Sequence, residues 1–578
     1  MNRKLISYLA LCAVVGIGAC TDKSIEVTNP NSGETQRVLG TPDDAEKLLG
    51  SYYKRWYQGL YGSVTANPPA TLEGMANIMS FQNYSSLNNE CQNSRYPFSG
   101  AANTNAPGNT CAPDQSNPYF ILNEVVRVAS NFLGNVADGS LNLGSDARAA
   151  RDKSFAEFLR GISLGYLALT YDSSAVVTPG MSGSDAGKLI TYSSVMDSAY
   201  AALQRAIDDA NTTATGASGF PIPTAWIPTP TTLAAADFVK IIRSYRALFR
   251  ADIARTPADR AAADWTSIIA DAQAGLTADH YIVTDVTNGP GAGWRRIYDG
   301  GATWHQMTPF IIGMADTSGA YLTWVRTEIG NRGAGNVSFT MATPDTRFPQ
   351  GATRAAQQAD FKIQDCEING GNGASGSFSC KRYFTNRPNG SDQFTGNGWG
   401  WSNYDFNRFH WWVIKGDGGT ARSGTLLMYP KTVVDMLQAE GLIRKGSYAA
   451  AAALINLTRV KNGLPAITAA DGTTPVPGGN ACVPKTPFGS GASATLTCGT
   501  MLEAMKWEKR IEGSFVQFSG WYFDERGWGD LPQNTALFWA VPYQDLESRG
   551  YKTSAIYGAG VGAGNAPNSA SGTSTYGW

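Results

Sequence analysis

The chain has 578 residues, with 46 basic and 47 acidic side chains and a formal net charge of −1, a balance that excludes the basic footprint of a nucleic-acid binder. At 43% hydrophobic and 16% charged it can fill one large core or several smaller ones. Its 64 glycines imply long irregular loops, and its 15 tryptophans and 25 tyrosines supply rings both for a core and for a binding face.

Arg3 and Lys4 precede an apolar run from Leu5 to Ile17. A mature membrane-spanning helix needs about 20 apolar residues, so this shorter run suits the apolar region of an export signal. Ile17-Gly18-Ala19-Cys20 resembles the lipobox of bacterial lipoproteins, which implies cleavage before Cys20 and lipidation of its thiol. Residues 1–19 are then a signal peptide and 20–40 a polar tether. Several acyl chains hold far better than one, each buried CH₂ contributing about 0.8 kcal/mol. Everything after Cys20 is expected outside the cytoplasm.

Helical patterns follow. Thr41 is an N-cap with Pro42 at the first position and Asp43 and Asp44 in the first turn, opening a helix to about residue 61. Further helices are predicted over about 117–138 and 145–172, the latter with Phe155, Leu159, Ile162, Tyr166 and Leu169 at helical spacing. Two more cover about 192–211 and 233–255. Pro257 starts another to about 276. From 277 to 425 the helical signal fades into a loop-rich region with a few short strands. Helices resume at about 429–445, ending at Gly446 as a left-handed cap, and at about 447–462 behind Ser447. Thr500 and Glu503 form a capping-box pattern before a helix through Phe515. The chain thus divides into a helical part (41–276), a loop-rich binding region (277–425), a second helical part of the same domain (426–556) and a Gly/Ala/Ser-rich tail (557–578). The expected fold class is mainly α: paired helices in a TPR-like scaffold without a clean repeat.

Of eight cysteines, Cys12 leaves with the signal and Cys20 takes lipid. The other six fall into local pairs, Cys91 with Cys111, Cys366 with Cys380 and Cys482 with Cys498, each in a loop-like stretch. Many pairings are open to six cysteines. Local bridges are the simplest in an oxidising compartment, each worth roughly 3 kcal/mol in the chain-entropy view. His280, His305 and His410 lie far apart and no C-x-x-C occurs, so no metal site is expected.

Several segments together resemble one family, the SusD/RagB outer-membrane nutrient-binding lipoproteins. Val27-Thr28-Asn29-Pro30-Asn31 follows the lipid cysteine. Phe155-Ala156-Glu157-Phe158-Leu159-Arg160-Gly161, running on to Tyr166 and Leu169-Thr170-Tyr171, is similar to the family's signature helix. So are Ala439-Glu440, Ala450 to Leu454, Ile455-Asn456, Arg459-Val460 and Gly463-Leu464-Pro465 to a later one. Glu508-Lys509-Arg510-Ile511-Glu512-Gly513 and Trp521-Tyr522-Phe523-Asp524-Glu525-Arg526-Gly527-Trp528-Gly529 resemble the C-terminal pattern. Three features depart from it: aspartate stands where a glycine is expected after Tyr171, residues 514–520 look inserted, and the cysteine pairs are extra. The resemblance implies a TPR-like scaffold carrying a loop-rich binding region. It implies a SusC-like TonB-dependent transporter as partner, an outer-membrane location, and binding of glycans or other nutrients without cleavage or cofactor.

Two catalytic patterns weigh little. Gly161-Ile162-Ser163-Leu164-Gly165 matches a nucleophile elbow, but that needs a strand-to-helix turn and here lies inside an amphipathic helix. Glu508 and Glu512 are one helical turn apart among Lys509 and Arg510, which reads as a charged helix face rather than a glycosidase pair. Sugar rings present apolar faces that stack on indoles while nearby polar groups bond the hydroxyls. The candidate ligand contacts are therefore Trp399 and Trp401, alternating with glycines in Gly398-Trp399-Gly400-Trp401-Ser402-Asn403, with Trp294, Trp304 and Trp324 in the same half. Trp411 and Trp412 lie close by, and Tyr84 comes from an early loop. A lipid-anchored polysaccharide hydrolase and a self-assembling cell-surface protein are the alternatives.

Overall fold

Two of the long helices start at a residue whose side chain caps them. In the computed structural model Thr41 Oγ1 accepts from the Asp44 amide at 3.3 Å, opening α1 (Pro42–Tyr61). The structure describes residues 41–61, 72–85, 105, 112–212, 220–284, 305–327, 339–360, 366–368, 378–380, 382–386, 404–406, 408, 424–488, 491–532 and 535–551. Cys20, Cys91, Cys111 and the tail lie outside these residues.

After α1 come α2 (Leu72–Met79), β1 (Asn83–Ser85), α3 (Ala112–Ala137) and α4 (Asp146–Thr170), the last capped by Ser145. Next are β2 (Ser173–Ala175), β3 (Leu189–Thr191), α5 (Tyr192–Thr212) and α6 (Ala235–Asp252). The single helix expected from Pro257 is two, α7 (Pro257–Ala262) and α8 (Trp265–Gln273). Ala263 turns extended, and the Asp264 carboxylate accepts from the Ser267 amide at 3.1 Å, so a second N-cap interrupts the first helix.

The middle of the chain gives β4 (His280–Thr284), β5 (His305–Met307), α9 (Pro309–Gly313), α10 (Ala320–Arg326) and α11 (Arg354–Asp360). Then follow β6 (Cys366–Ile368), β7 (Phe378–Cys380), β8 (Phe384–Asn386), β9 (Tyr404–Phe406) and β10 (Gly424–Tyr429). Last come α12 (Lys431–Arg444), α13 (Tyr448–Arg459), β11 (Lys485–Phe488), β12 (Thr495–Cys498), α14 (Met501–Gly513), α15 (Gly520–Trp528) and α16 (Tyr543–Ser548). Gly446 takes the left-handed cap at φ 75°. Thr500 holds the N-cap position of α14 without a side-chain bond, so the capping box does not form; Glu503 pairs with Lys506 at 3.0 Å instead. Ser447 likewise caps α13 through position alone.

The fold is mainly helical. Helices α3, α4, α5 and α6 pack in succession, and α12 packs on α8, α13 and α14. Every described sheet is a two-stranded antiparallel ladder. Among the described residues no helix is long and apolar enough to cross a membrane. A disulfide joins Cys482 to Cys498 beside the β11–β12 ladder, and Cys366 and Cys380 are register partners across β6–β7.

Helix α4 is the axis of the large core. All its residues from Ser154 to Thr170 are buried, not merely one stripe. A Cβ on Gly161 would stand 2.5 Å from the Leu203 side chain, and one on Gly165 would stand 2.2 Å from Phe249. The glycines of the elbow-like pattern are thus sites of close helix contact. Asp172, in place of the expected glycine, is fully buried and does work a glycine cannot. Its carboxylate accepts from the Val541 amide at 3.1 Å, while its backbone bonds Trp539 and Tyr192. The segment 514–520 is a buried corner, with Phe515 and Ser519 at φ 54° and 52°, conformations that non-glycine residues rarely adopt.

A carboxyl cluster fastens α1 to α4. Asp152 accepts from Arg151 at 2.8 Å, Arg151 reaches Glu46 at 2.5 Å, and Arg148 holds both Glu46 and Asp43. Burial, with the Glu46 carboxylate beside it, pushes the Asp152 carboxyl up from 3.8 to about 7. The folded state therefore binds a proton that the unfolded chain releases. This contribution to stability is complete at low pH and is lost as pH rises from about 4 through about 7. Asp152→Asn is expected to flatten that part of the profile, read as unfolding midpoints at about pH 5 and about pH 8. A variant with the wild-type pH dependence would show that another group is responsible.

Candidate ligand-binding site

Trp294, Trp304, Trp399 and Trp401 lie outside the described residues, but the strands that bracket their segments do not. In the β1–β5 ladder Ser85 pairs with His305, so segment 86–104 departs where 285–304 returns. In the β4–β10 ladder Thr284 pairs with Gly424, so 285–304 departs where the Trp411/Trp412 stretch ends. In the β8–β9 ladder Asn386 pairs with Tyr404, fixing both ends of 387–403. Strand β5 also lies beside β9. The aromatic segments singled out in the sequence are thus tied at neighbouring feet, although they stand up to hundreds of residues apart in the chain. Tyr84 occupies the middle of β1, opposite Gln306.

Beneath the β8–β9 feet is a buried ionic cluster. The Arg347 guanidinium binds Asp345 at 2.7 Å, Glu508 at 2.8 Å and Glu512 at 3.1 Å, with no exposed surface. Burial opposes its charge, but the facing Asp345 and Glu508 carboxylates more than offset this and hold it well above its ordinary range. The Trp507 indole donates to Asp345 at 3.0 Å, and Thr458 to Glu508 at 2.8 Å. The Tyr383 and Phe384 amides both donate to the Arg347 carbonyl, joining β8 to this cluster. Phe384 stacks on Phe348 with centroids 4.2 Å apart. Burial keeps the Tyr383 phenol well above its ordinary pKa against the pull of Arg408, so it donates throughout the physiological range.

The charged face expected of Glu508 and Glu512 is overturned by this arrangement. Both are buried, and one guanidinium bridges them. A sugar cannot enter between them, so they are not an open glycosidase pair. Trp324 is also corrected: only 2% exposed, it packs against Phe310, Tyr321 and Phe339 in the core around α9 and α10. No face of it is left for a ligand.

No protein-family model matches the sequence, and no curated protein matches it. Solved structures do match. A SusD homolog from Bacteroides vulgatus ATCC 8482 superposes with a TM-score of 0.51 at 9% identity, covering 91% of this chain and 99% of that one. A SusD superfamily protein from Bacteroides thetaiotaomicron VPI-5482 gives 0.50 at 12% identity, covering 88% and 97%. A SusD-like carbohydrate-binding protein from Bacteroides fragilis NCTC 9343 gives 0.50 at 14% identity, covering 86% and 87%. The chain has the SusD-like fold.

Within this SusD-like fold the sequence segments that suggested it come together. The Phe155–Tyr171 stretch is α4, and Arg526 of the C-terminal pattern donates to the Leu169 carbonyl at its end and to the Asp252 carbonyl at the end of α6, both at 2.8 Å. A cation there also complements the negative ends of two helices. Sequence reasoning missed the Arg347 cluster and the pairing of β1 with β5. Local pattern carries no trace of partners 161 or 165 residues away. For Trp324 a signal was present: Tyr321, Trp324 and Val325 have the spacing of a buried helical face.

Proposed function

We propose that this chain is a non-catalytic, surface-anchored glycan-binding lipoprotein that passes its ligand to a SusC-like TonB-dependent transporter in the outer membrane. The observation that carries the proposal is the SusD-like fold with its aromatic segments gathered at neighbouring feet. That one similar structure is a SusD-like carbohydrate-binding protein supports the ligand class. Trp399 and Trp401, with Trp294, Trp304 and Tyr84 from the adjoining segments, would supply the stacking surfaces. Cys20 would carry the lipid, and the polar residues after it would let the domain stand over the transporter.

Native gels containing starch, xylan, mannan, pectin or laminarin test the ligand class. Retardation by at least one of them, and none by a gelatin digest, is the expected result. Equal migration in all of them, with binding to the peptides, would replace glycan by peptide.

A further inference from the structure

Glu512 stands in the last turn of α14, where the negative helix end disfavours a carboxylate. Four parts of the chain nevertheless close on it. Tyr383, the residue before β8, donates its hydroxyl at 3.0 Å. Arg408, two residues beyond β9, pairs with the carboxylate at 3.3 Å and donates to the Glu512 carbonyl at 2.9 Å. The Arg408 guanidinium also lies 4.2 Å from the centroid of the Tyr383 ring. Arg347 contributes 3.1 Å and Asn462, past the end of α13, contributes 3.4 Å. The group is 5% exposed, so these charge-assisted bonds act away from water, where they are strong and directional. At the end of the ladder where Phe384 pairs with Phe406, the residues flanking both strands are therefore fixed to one carboxylate at the tip of a scaffold helix, and 387–403 leaves from the opposite end.

We propose that Glu512 is a positioning residue for glycan binding. It touches no ligand. Acting through Tyr383 and Arg408, it sets the relative position of the two strands between which the Trp399 and Trp401 segment runs. A site held in its bound arrangement loses less on binding than one that must first be ordered. This inference rests on the proposed glycan-binding role.

The test uses the full chain with Tyr383→Phe, which removes one hydroxyl and keeps the ring under Arg408, together with Glu512→Gln, Arg408→Gln and Arg408→Lys. Hydrogen exchange is followed at 382–386 and 404–408 and compared with α4. Affinity is measured by retardation in starch, xylan, mannan, pectin and laminarin gels. The expected result is faster exchange at the two strands, unchanged exchange in α4, and affinity about tenfold weaker in Tyr383→Phe and Arg408→Gln, with partial recovery in Arg408→Lys. Unchanged exchange at the strands in both Tyr383→Phe and Glu512→Gln overturns the proposal, as does faster exchange with wild-type affinity. A wild type retained by none of the five polysaccharides is a failure of the glycan-binding role itself. The exchange data distinguish that outcome from failure of the Glu512 clamp.

Discussion

Arg260→Met is expected to destabilise the chain by about 3–5 kcal/mol, because it leaves buried carboxylates facing one another without their shared cation. Arg260, at the heart of the contact between α6, α7, α12 and α15, has no exposed surface. Its guanidinium binds Glu440 at 2.7 Å, Asp252 at 2.9 Å and Asp524 at 3.0 Å. Lys509 and Arg444 remain on Asp524 and Glu440, but neither replaces the planar fork that joins three acids at once. Arg260→Lys should fall between wild type and Met. Urea unfolding followed by circular dichroism measures the effect. A midpoint for Arg260→Met equal to that of the wild type would mean that the cluster contributes nothing net to the join between the helical layers.

The second large effect is expected at Trp399 and Trp401. Gly398 and Gly400 carry no side chain that could cover these indoles, and the proposed glycan-binding role assigns the rings to a sugar face. Removing an aromatic anchor at the centre of a binding site typically costs about 2 kcal/mol, roughly thirtyfold in affinity. Trp399→Ala and Trp401→Ala should each show a loss of that size with unchanged unfolding midpoints. Their double variant should lose measurable binding, with some coupling because the two positions are close. Wild-type affinity in both single variants would move the contact surface to other rings, those of the 285–304 segment first.

What the sequence made legible follows from the range of the interactions concerned. The N-cap at Thr41, the Gly446 cap and the apolar spacing of α4 act within a turn or two, and each is visible in a short window. The split between α7 and α8 was also written locally, in Asp264 and Ser267, but the apolar pattern running through it masked the cap. Long-range features were not legible. The β1–β5 and β4–β10 ladders join segments far apart in the chain, and short strands carry little alternation to announce them. Glu508 and Glu512 read as a solvent-facing pair because most charged side chains are exposed. At Glu508, Glu512, Arg347 and Arg260 burial is made tolerable by partners supplied from other parts of the fold. The candidate site was legible only as composition: aromatic, glycine-rich segments. Their common footing came from the pairing of strands.

The central claim, binding without cleavage, is tested most directly by calorimetric titration of the wild-type protein with the polysaccharide that retards it, followed by assay of the same mixture for new reducing ends. Saturable binding, abolished in the Trp399→Ala/Trp401→Ala variant, with no increase in reducing ends, is the predicted result. Absence of binding to any of the polysaccharides, or steady release of reducing ends by the purified protein, would contradict it.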